Sequence, residues 1–413
     1  MSIPATKSIA PGEIVRELLA DAGVRGAFEF FEAQAAGITE EHERLCAIPS
    51  PPFGEAERAR YLAAKFRECG LKGARVDAEG NCVALRPGRR ERPLMVVSAH
   101  LDTVFPPGTD FTVKWDGAGK MRAPGIADDG CGLAALVALV RALEECRIET
   151  DGSLLFVGTV GEEGEGNLRG ARHLLTRDEW AGKIDAFISL DGPGIERITT
   201  TALGSRRYRV RYRGAGGHSW GDFGAANPVH ALGRAIARLT SYPAPKHPRT
   251  TFNVGRIEGG AGVNVIAREA AMDVDLRSES ADELGRLDAF FRRAAREAAD
   301  DENSSRRSGT PPLELEVKLI GDRPSGATSP NSPLVQLAEA ATRAVGSRPR
   351  LDCSSTDSNI PISLGVPAIT FGAGGSSGNS HTLDEWYDPR GREVGLRRAL
   401  LIVLGTVRIR SGG

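Results

Sequence analysis

Short, almost unbroken apolar runs alternate with longer helical stretches through the first half of the chain. Residues 93–99 (PLMVVSA), 153–159 (SLLFVGT) and 186–190 (AFISL) have the profile of strands buried on both faces, and residues 367–371 (PAITF) repeat it later. Residues 132–143 form a helical stretch between the first two runs. This alternation predicts an α/β fold: a mostly parallel sheet with helices on both faces.

The period changes near Gly204. Residues 206–213 alternate like a half-exposed strand. Asn227-Pro228 then opens a helix, with Asn as cap and Pro at the first helical position, and Val229, Leu232, Ile236 and Leu239 on its apolar face. Residues 251–257 and 269–276 read as strands. Ser280 and Glu283 predict a capping box for a second helix carrying Leu284, Leu287 and Phe291. A polar loop at Asn303-Ser304-Ser305 leads to a strand over 313–319. The order β-α-β-β-α-β is the ferredoxin-like α+β pattern of a small domain. Residues 204–322 are therefore expected to be an insertion between two parts, 1–203 and 323–413, of a larger α/β domain.

At 413 residues the chain is long enough for two cores. A hydrophobic content of 40% and a net charge of −1 supply no bulk field favouring nucleic acid or an anionic membrane. No apolar run approaches a membrane span. The first fifteen residues lack the basic and apolar regions of a signal peptide, so a cytoplasmic location is expected. Cysteines 46, 69, 82, 131, 146 and 353 form no close pairs and are read as buried thiols.

Five short motifs carry the candidate chemistry: Ser-Ala-His100-Leu-Asp102, Gly-Ile-Ala-Asp128-Asp129, Gly-Glu162-Glu163-Gly, Ser-Leu-Asp191-Gly and Asn-Ser-His381-Thr. Together they hold two histidines and several carboxylates, a ligand set for a pair of borderline divalent ions. His100, Glu162, Glu163 and Asp191 follow predicted strands, at the sheet edge where open α/β folds carry their ligands. Asp102 is placed to orient His100. Asp128 is expected to bridge two ions while Asp129 caps the next helix. The adjacent Glu162 and Glu163 repel unless a dication sits between them; one can then bind it while the other takes a proton. His218, in Gly-Ala-Gly-Gly-His-Ser, lies away from these motifs and is read as a hydrogen-bond donor to a reacting carbonyl. Histidines 42, 173, 230 and 247 are assigned no role.

In this order the motifs resemble those of the dinuclear-zinc exopeptidase and amidohydrolase family, which includes peptidase T, glutamate carboxypeptidase and acetylornithine deacetylase. The resemblance runs from His100 to His381 and includes the interrupting domain. It implies that His100 and Asp191 bind one ion, Glu163 and His381 the other, and that Asp128 bridges them. It implies Glu162 as general base, Asp102 and His218 as further catalytic residues, and Asn264 and Arg277 as substrate contacts. The cofactor it implies is a pair of divalent ions, zinc first, with cobalt or manganese as alternatives. It also implies a homodimer through the inserted domain, with His218 serving the partner's site. Asp191, where other members have Glu, and the stretch Gly-Glu-Glu-Gly-Glu-Gly-Asn-Leu-Arg-Gly point to a peptidase T-like aminopeptidase acting on short peptides. Gly130 departs from the Lys found in many members, which bears on the subgroup but not on the ligands. The alternatives are an N-acyl amino acid deacylase or carboxypeptidase and, remotely, an inactive binding or scaffold member.

Overall fold

The structure, a computed structural model, describes residues 9–410. The expectation drawn from the first fifteen residues rests partly on residues 1–8, which lie outside the described residues. Two compact units are present: one built from the chain before Leu203 and after Gly326, the other from Leu203–Gly326.

The first unit is organised on a nine-stranded sheet. Its centre runs in the order Cys82–Arg86, Ser153–Thr159, Leu94–His100, Ala186–Leu190, Ala368–Phe371, Arg197–Ala202. The three central pairings, between Ser153–Thr159, Leu94–His100, Ala186–Leu190 and Ala368–Phe371, are parallel, and those flanking them on this path are antiparallel. The apolar runs form these strands because both of their faces are covered. Along Leu94–His100, Met95, Val97 and Ala99 join one buried cluster, with residues of the helices Gly130–Glu145 and Arg392–Val407. Leu94 and Val96 join a second cluster on the other face, with Ala171, Leu174 and Leu175 of the helix Arg169–Thr176. Burying side chains of this size contributes about 1.5–3 kcal/mol each.

Because the central strands are parallel, their carboxyl ends share one edge. His100 ends its strand, Glu162 and Glu163 follow Ser153–Thr159, and Asp191 follows Ala186–Leu190. His381 follows Ala368–Phe371 at the far end of a glycine-rich loop.

The second unit has a four-stranded antiparallel sheet in the order Thr250–Gly259, Glu269–Ser278, Gly204–Arg213, Glu314–Arg323. Numbered along the chain this is the ferredoxin-like order, with the helices Pro228–Leu239 and Ala281–Ser305 on one face. Tyr208, Val210 and Tyr212 point into that face and pack with Leu232, Leu239, Leu287 and Phe291. On the opposite face Arg207, Arg209 and Arg213 pair with Asp275, Asp273 and Glu269. The cap on Pro228–Leu239 forms as expected, with Asn227 accepting the Val229 N–H at 3.0 Å.

Two local expectations are corrected. Residues 303–305 are the last turn of the long helix and not a loop; Ser305 Oγ donates to the Asp301 carbonyl at 3.0 Å, which satisfies a hydroxyl that would otherwise favour a turn. The capping box is half formed. Ser280 accepts the Glu283 N–H, but the Ser280 N–H donates to Ser278 Oγ, and the Glu283 carboxylate pairs with Arg286. All six cysteines are free thiols, three buried (46, 82, 131) and three half-buried.

Candidate metal centre

His100 is buried, and burial alone would lower its pKa. The Asp102 and Asp128 carboxylates outweigh that and hold it well above the usual imidazole range. Its Nε2 lies 2.8 Å from Asp128 Oδ1. The other oxygen of the same carboxylate lies 3.0 Å from His381 Nε2, which is itself 2.9 Å from Glu163 Oε1. Potential ligand atoms of His100, Asp128 and Asp191 lie within 4.8 Å of one another, and so do those of Asp128, Glu163 and His381. Asp128 belongs to both groups. Glu162 lies within the same reach of His100 and Glu163. The five ligands expected from the sequence, and the expected base, are thus gathered at one sheet edge.

The local sequence accounts for this gathering. Gly161, between the strand end and Glu162, takes a left-handed φ of 67°, and a Cβ there would lie 2.7 Å from Arg169 Cγ. Glycine is therefore required for the turn that presents the two glutamates. His381 has a φ of 65°, a backbone state that costs a non-glycine residue roughly 1–3 kcal/mol and tends to persist where function needs it. Asp129 caps the helix Gly130–Glu145 by accepting the Gly132 N–H at 3.0 Å, and its other oxygen accepts the His100 N–H at 3.1 Å. The Asp128–Asp129 peptide is cis.

Asp102 does more than orient an imidazole. The nearest acceptor to His100 Nδ1 is the Asp102 backbone carbonyl at 3.0 Å; the carboxylate is 3.7 Å away. The two carboxylate oxygens instead accept the backbone N–H groups of Glu162 and Glu163, at 3.0 and 2.7 Å. One residue thereby ties the histidine to the glutamate pair.

The donor set suits divalent cations. Asp128, Glu163 and Asp191 crowd three carboxylates around two imidazoles. Burial first, and then the Asp128 charge, push Asp191 up to about 7. Positive charge placed among these groups removes that penalty, and nitrogen with carboxylate oxygen is a usual ligand set for zinc and its neighbours. A further trio, Asp77, His173 and Asp178, also lies within 4.8 Å, but the Asp77 carboxylate already accepts the N–H groups of Glu79, Gly80 and Asn81.

The remaining candidates lie in the second unit. His218 and Asn264 are neighbours there: Gly217–His218 pairs with Val265–Ile266, and the Ser219 N–H donates to the Asn264 carbonyl at 3.0 Å. His218 Nδ1 accepts the N–H groups of Trp220 and Gly221 at 3.2 and 3.3 Å, so the ring proton sits on Nε2. Asp222 closes the turn by accepting the His218 N–H at 2.7 Å. Arg277 Nε donates to Asp275 at 2.6 Å.

Sequence reading missed two residues beside the centre. Glu385 is fully buried and accepts three backbone N–H groups from residues 125–128. His42, given no role, is also fully buried, and its Nε2 lies 2.6 Å from the Ile126 carbonyl. The spacing of Glu385 four residues after His381 was the available signal for the first. Nothing local singles out the second.

The profile of peptidase family M20/M25/M40 matches residues 96–404. The uncharacterized protein YqjE of Bacillus subtilis is 26% identical over 349 residues, covering 82% of this chain and 90% of that one. A succinyl-diaminopimelate desuccinylase of Nitrosococcus oceani is 29% identical over 254 residues, covering 57% of this chain and 66% of that one. Among solved structures, aminopeptidase PepT of Bacillus cereus superposes with a TM-score of 0.73 at 22% identity, over 91% of this chain and 99% of that one. With the fold, the sheet-edge centre and the profile match in agreement, the chain belongs to peptidase family M20/M25/M40 and is a hydrolase of the peptidase and amidohydrolase type.

Proposed function

We propose that the chain is a dinuclear metallo-aminopeptidase of the peptidase T kind, cleaving the amide bond of short peptides. The observation that carries the dinuclear part of this reading is the sharing of Asp128 between two ligand groups, with Glu162 beside them; the aminopeptidase part rests on Asp191 standing where other members have Glu. His100 and Asp191 would hold one ion, Glu163 and His381 the other, and Asp128 would contribute to both; zinc would suit the set, with cobalt or manganese as substitutes. When bound, the ions polarise the scissile carbonyl and acidify the attacking water. Glu162 takes the proton from that water and passes it to the leaving amine. Asp102 keeps Glu162, Glu163 and His100 in register. His218 carries its proton on Nε2 and donates to the carbonyl oxygen as charge develops there. Arg277 binds a substrate carboxylate through its planar fork, and Asn264 a substrate amide. The second unit, proposed to span 204–322, pairs with its twin in a homodimer, so that His218 serves the partner's centre. The protein works in the cytoplasm, with no nucleic-acid or membrane partner.

A second reading is favoured by the desuccinylase relative: an N-acyl amino acid deacylase, or a carboxypeptidase, using the same centre. A screen of di- and tripeptides with free amino ends against N-acyl amino acids separates them. Turnover of free-amine peptides, lost on amino-terminal acylation, is the expected result. Turnover confined to N-acyl substrates overturns the aminopeptidase assignment.

A further inference from the structure

The segment 125–128 carries Asp128 and runs through the interior, and its backbone groups are met almost one by one. Glu385 Oε2 accepts the Gly125 N–H at 3.1 Å, while Oε1 accepts those of Ala127 and Asp128 at 2.8 and 3.0 Å. The Ile126 N–H donates to Ala123 at 3.2 Å. The carbonyls meet other partners. That of Gly125 accepts the Gly130 N–H at 3.1 Å, that of Ile126 faces His42, and that of Ala127 accepts Cys131 Sγ at 3.0 Å. His42 can only donate here, because its Nδ1 accepts from Arg392 Nη2 at 2.9 Å, which leaves the proton on Nε2. Its ring also meets Tyr387 edge-on, with centroids 5.0 Å apart.

Buried backbone groups must find partners somewhere. Here three of the four N–H groups find the carboxylate of Glu385, from the other end of the chain, and the remaining groups meet His42, Cys131 and nearby backbone. Glu385 stands four residues after His381, and the Glu385 N–H donates to the Thr382 carbonyl at 3.2 Å, closing the turn that presents His381. One carboxylate therefore joins the segment bearing Asp128 to the turn bearing His381, over a separation of 257 residues.

We propose that Glu385, together with His42 on the Ile126 carbonyl, is a positioning residue that sets the shared carboxylate of Asp128 against His381 for a pair of divalent ions. The inference rests on the dinuclear reading above and extends it to residues that touch neither ion nor substrate. Three N–H groups converge on Glu385, so both of its oxygens must accept. In Glu385→Gln one of the two oxygens becomes an NH2 that must face an N–H. In Glu385→Asp the charge remains, but the reach is shorter by one methylene.

The test uses the full chain stripped of metal and titrated with zinc against a chromophoric chelator, with kcat and KM measured at saturating zinc. Wild type is expected to take two ions. Glu385→Gln should keep its far-ultraviolet dichroism and lose about 10–100-fold in affinity for at least one of them, the range found when supports of metal ligands are removed. Its kcat should fall with little change in KM. Glu385→Asp should fall between the two. His42→Leu, which removes the donor to the Ile126 carbonyl, should weaken zinc binding in the same direction and serves if the Glu385 variants do not fold. A role confined to stability would lower the melting temperature and leave zinc affinity and kcat in place; that result in Glu385→Gln, or in His42→Leu if it alone folds, overturns the proposal. Fewer than two ions in wild type overturns the dinuclear reading itself, and this inference with it.

Discussion

Asp102 accepts the backbone N–H of Glu163 at 2.7 Å through one carboxylate oxygen and that of Glu162 at 3.0 Å through the other. The residue after next to His100 thus sets the height of both glutamates above the sheet edge. Asp102→Asn keeps the shape but turns one acceptor into a donor facing an N–H. It is expected to lower both zinc affinity and kcat, the former by about 10–100-fold. Equilibrium zinc titration and steady-state kinetics check this; an Asn variant with wild-type values in both would show that the contact is incidental.

The two adjacent glutamates should separate by function. Glu162→Gln removes a proton acceptor and should lower kcat by about 10²–10⁴-fold while two ions remain bound. Glu163→Gln removes a ligand and should leave the purified protein short of metal. Elemental analysis alongside kinetics distinguishes them. Near-normal turnover in Glu162→Gln would assign the base elsewhere.

His218 is exposed, with its proton on Nε2, and has a role only once a carbonyl oxygen gains charge. His218→Ala should lower kcat by about 10²–10³-fold with metal content unchanged. Mixing this chain with Glu162→Gln should restore activity through heterodimers, because one centre then has both native residues. Confirmed subunit exchange without recovery would place His218 in its own chain's site, or in none.

His42 gives a pH signature in stability. Burial first, and then the Arg392 charge, hold its pKa well below the usual imidazole value. Between that lowered value and about 6.5 the unfolded chain binds a proton that the folded chain refuses. The folded state therefore loses stability as pH falls below about 6.5, by up to roughly 1.4 kcal/mol per unit from this residue. His42→Gln should show a shallower fall. Urea midpoints between pH 5 and 7.5 for both proteins test it; parallel curves would mean that His42 takes up its proton in the folded state.

The amino-acid pattern alone determined the strands that position the centre. Residues 153–159 and 186–190 are the observed strands residue for residue, because a run buried on both faces leaves a signature that needs no partner to be read. Of the candidate ligands, His100, Glu163 and Asp191 were legible for a related reason: each stands at or just beyond such a run, and a parallel sheet brings those ends to one edge, whereas Asp128 and His381 come from a turn before a helix and a glycine-rich loop. Period and capping chemistry marked residues 204–322 as a separate segment, and the compact unit in the structure spans Leu203–Gly326. What the sequence could not carry is how buried polar groups choose partners. A carboxylate that accepts backbone N–H groups, as Asp102 and Glu385 do, is indistinguishable along the chain from one on a solvated turn. His42 reads as an ordinary helix residue until the chain folds a carbonyl 84 positions away against its ring. Periodicity records which face of an element is dry. Only the tertiary structure decides which unpaired N–H and C=O groups arrive there, and therefore which side chains hold the site in shape.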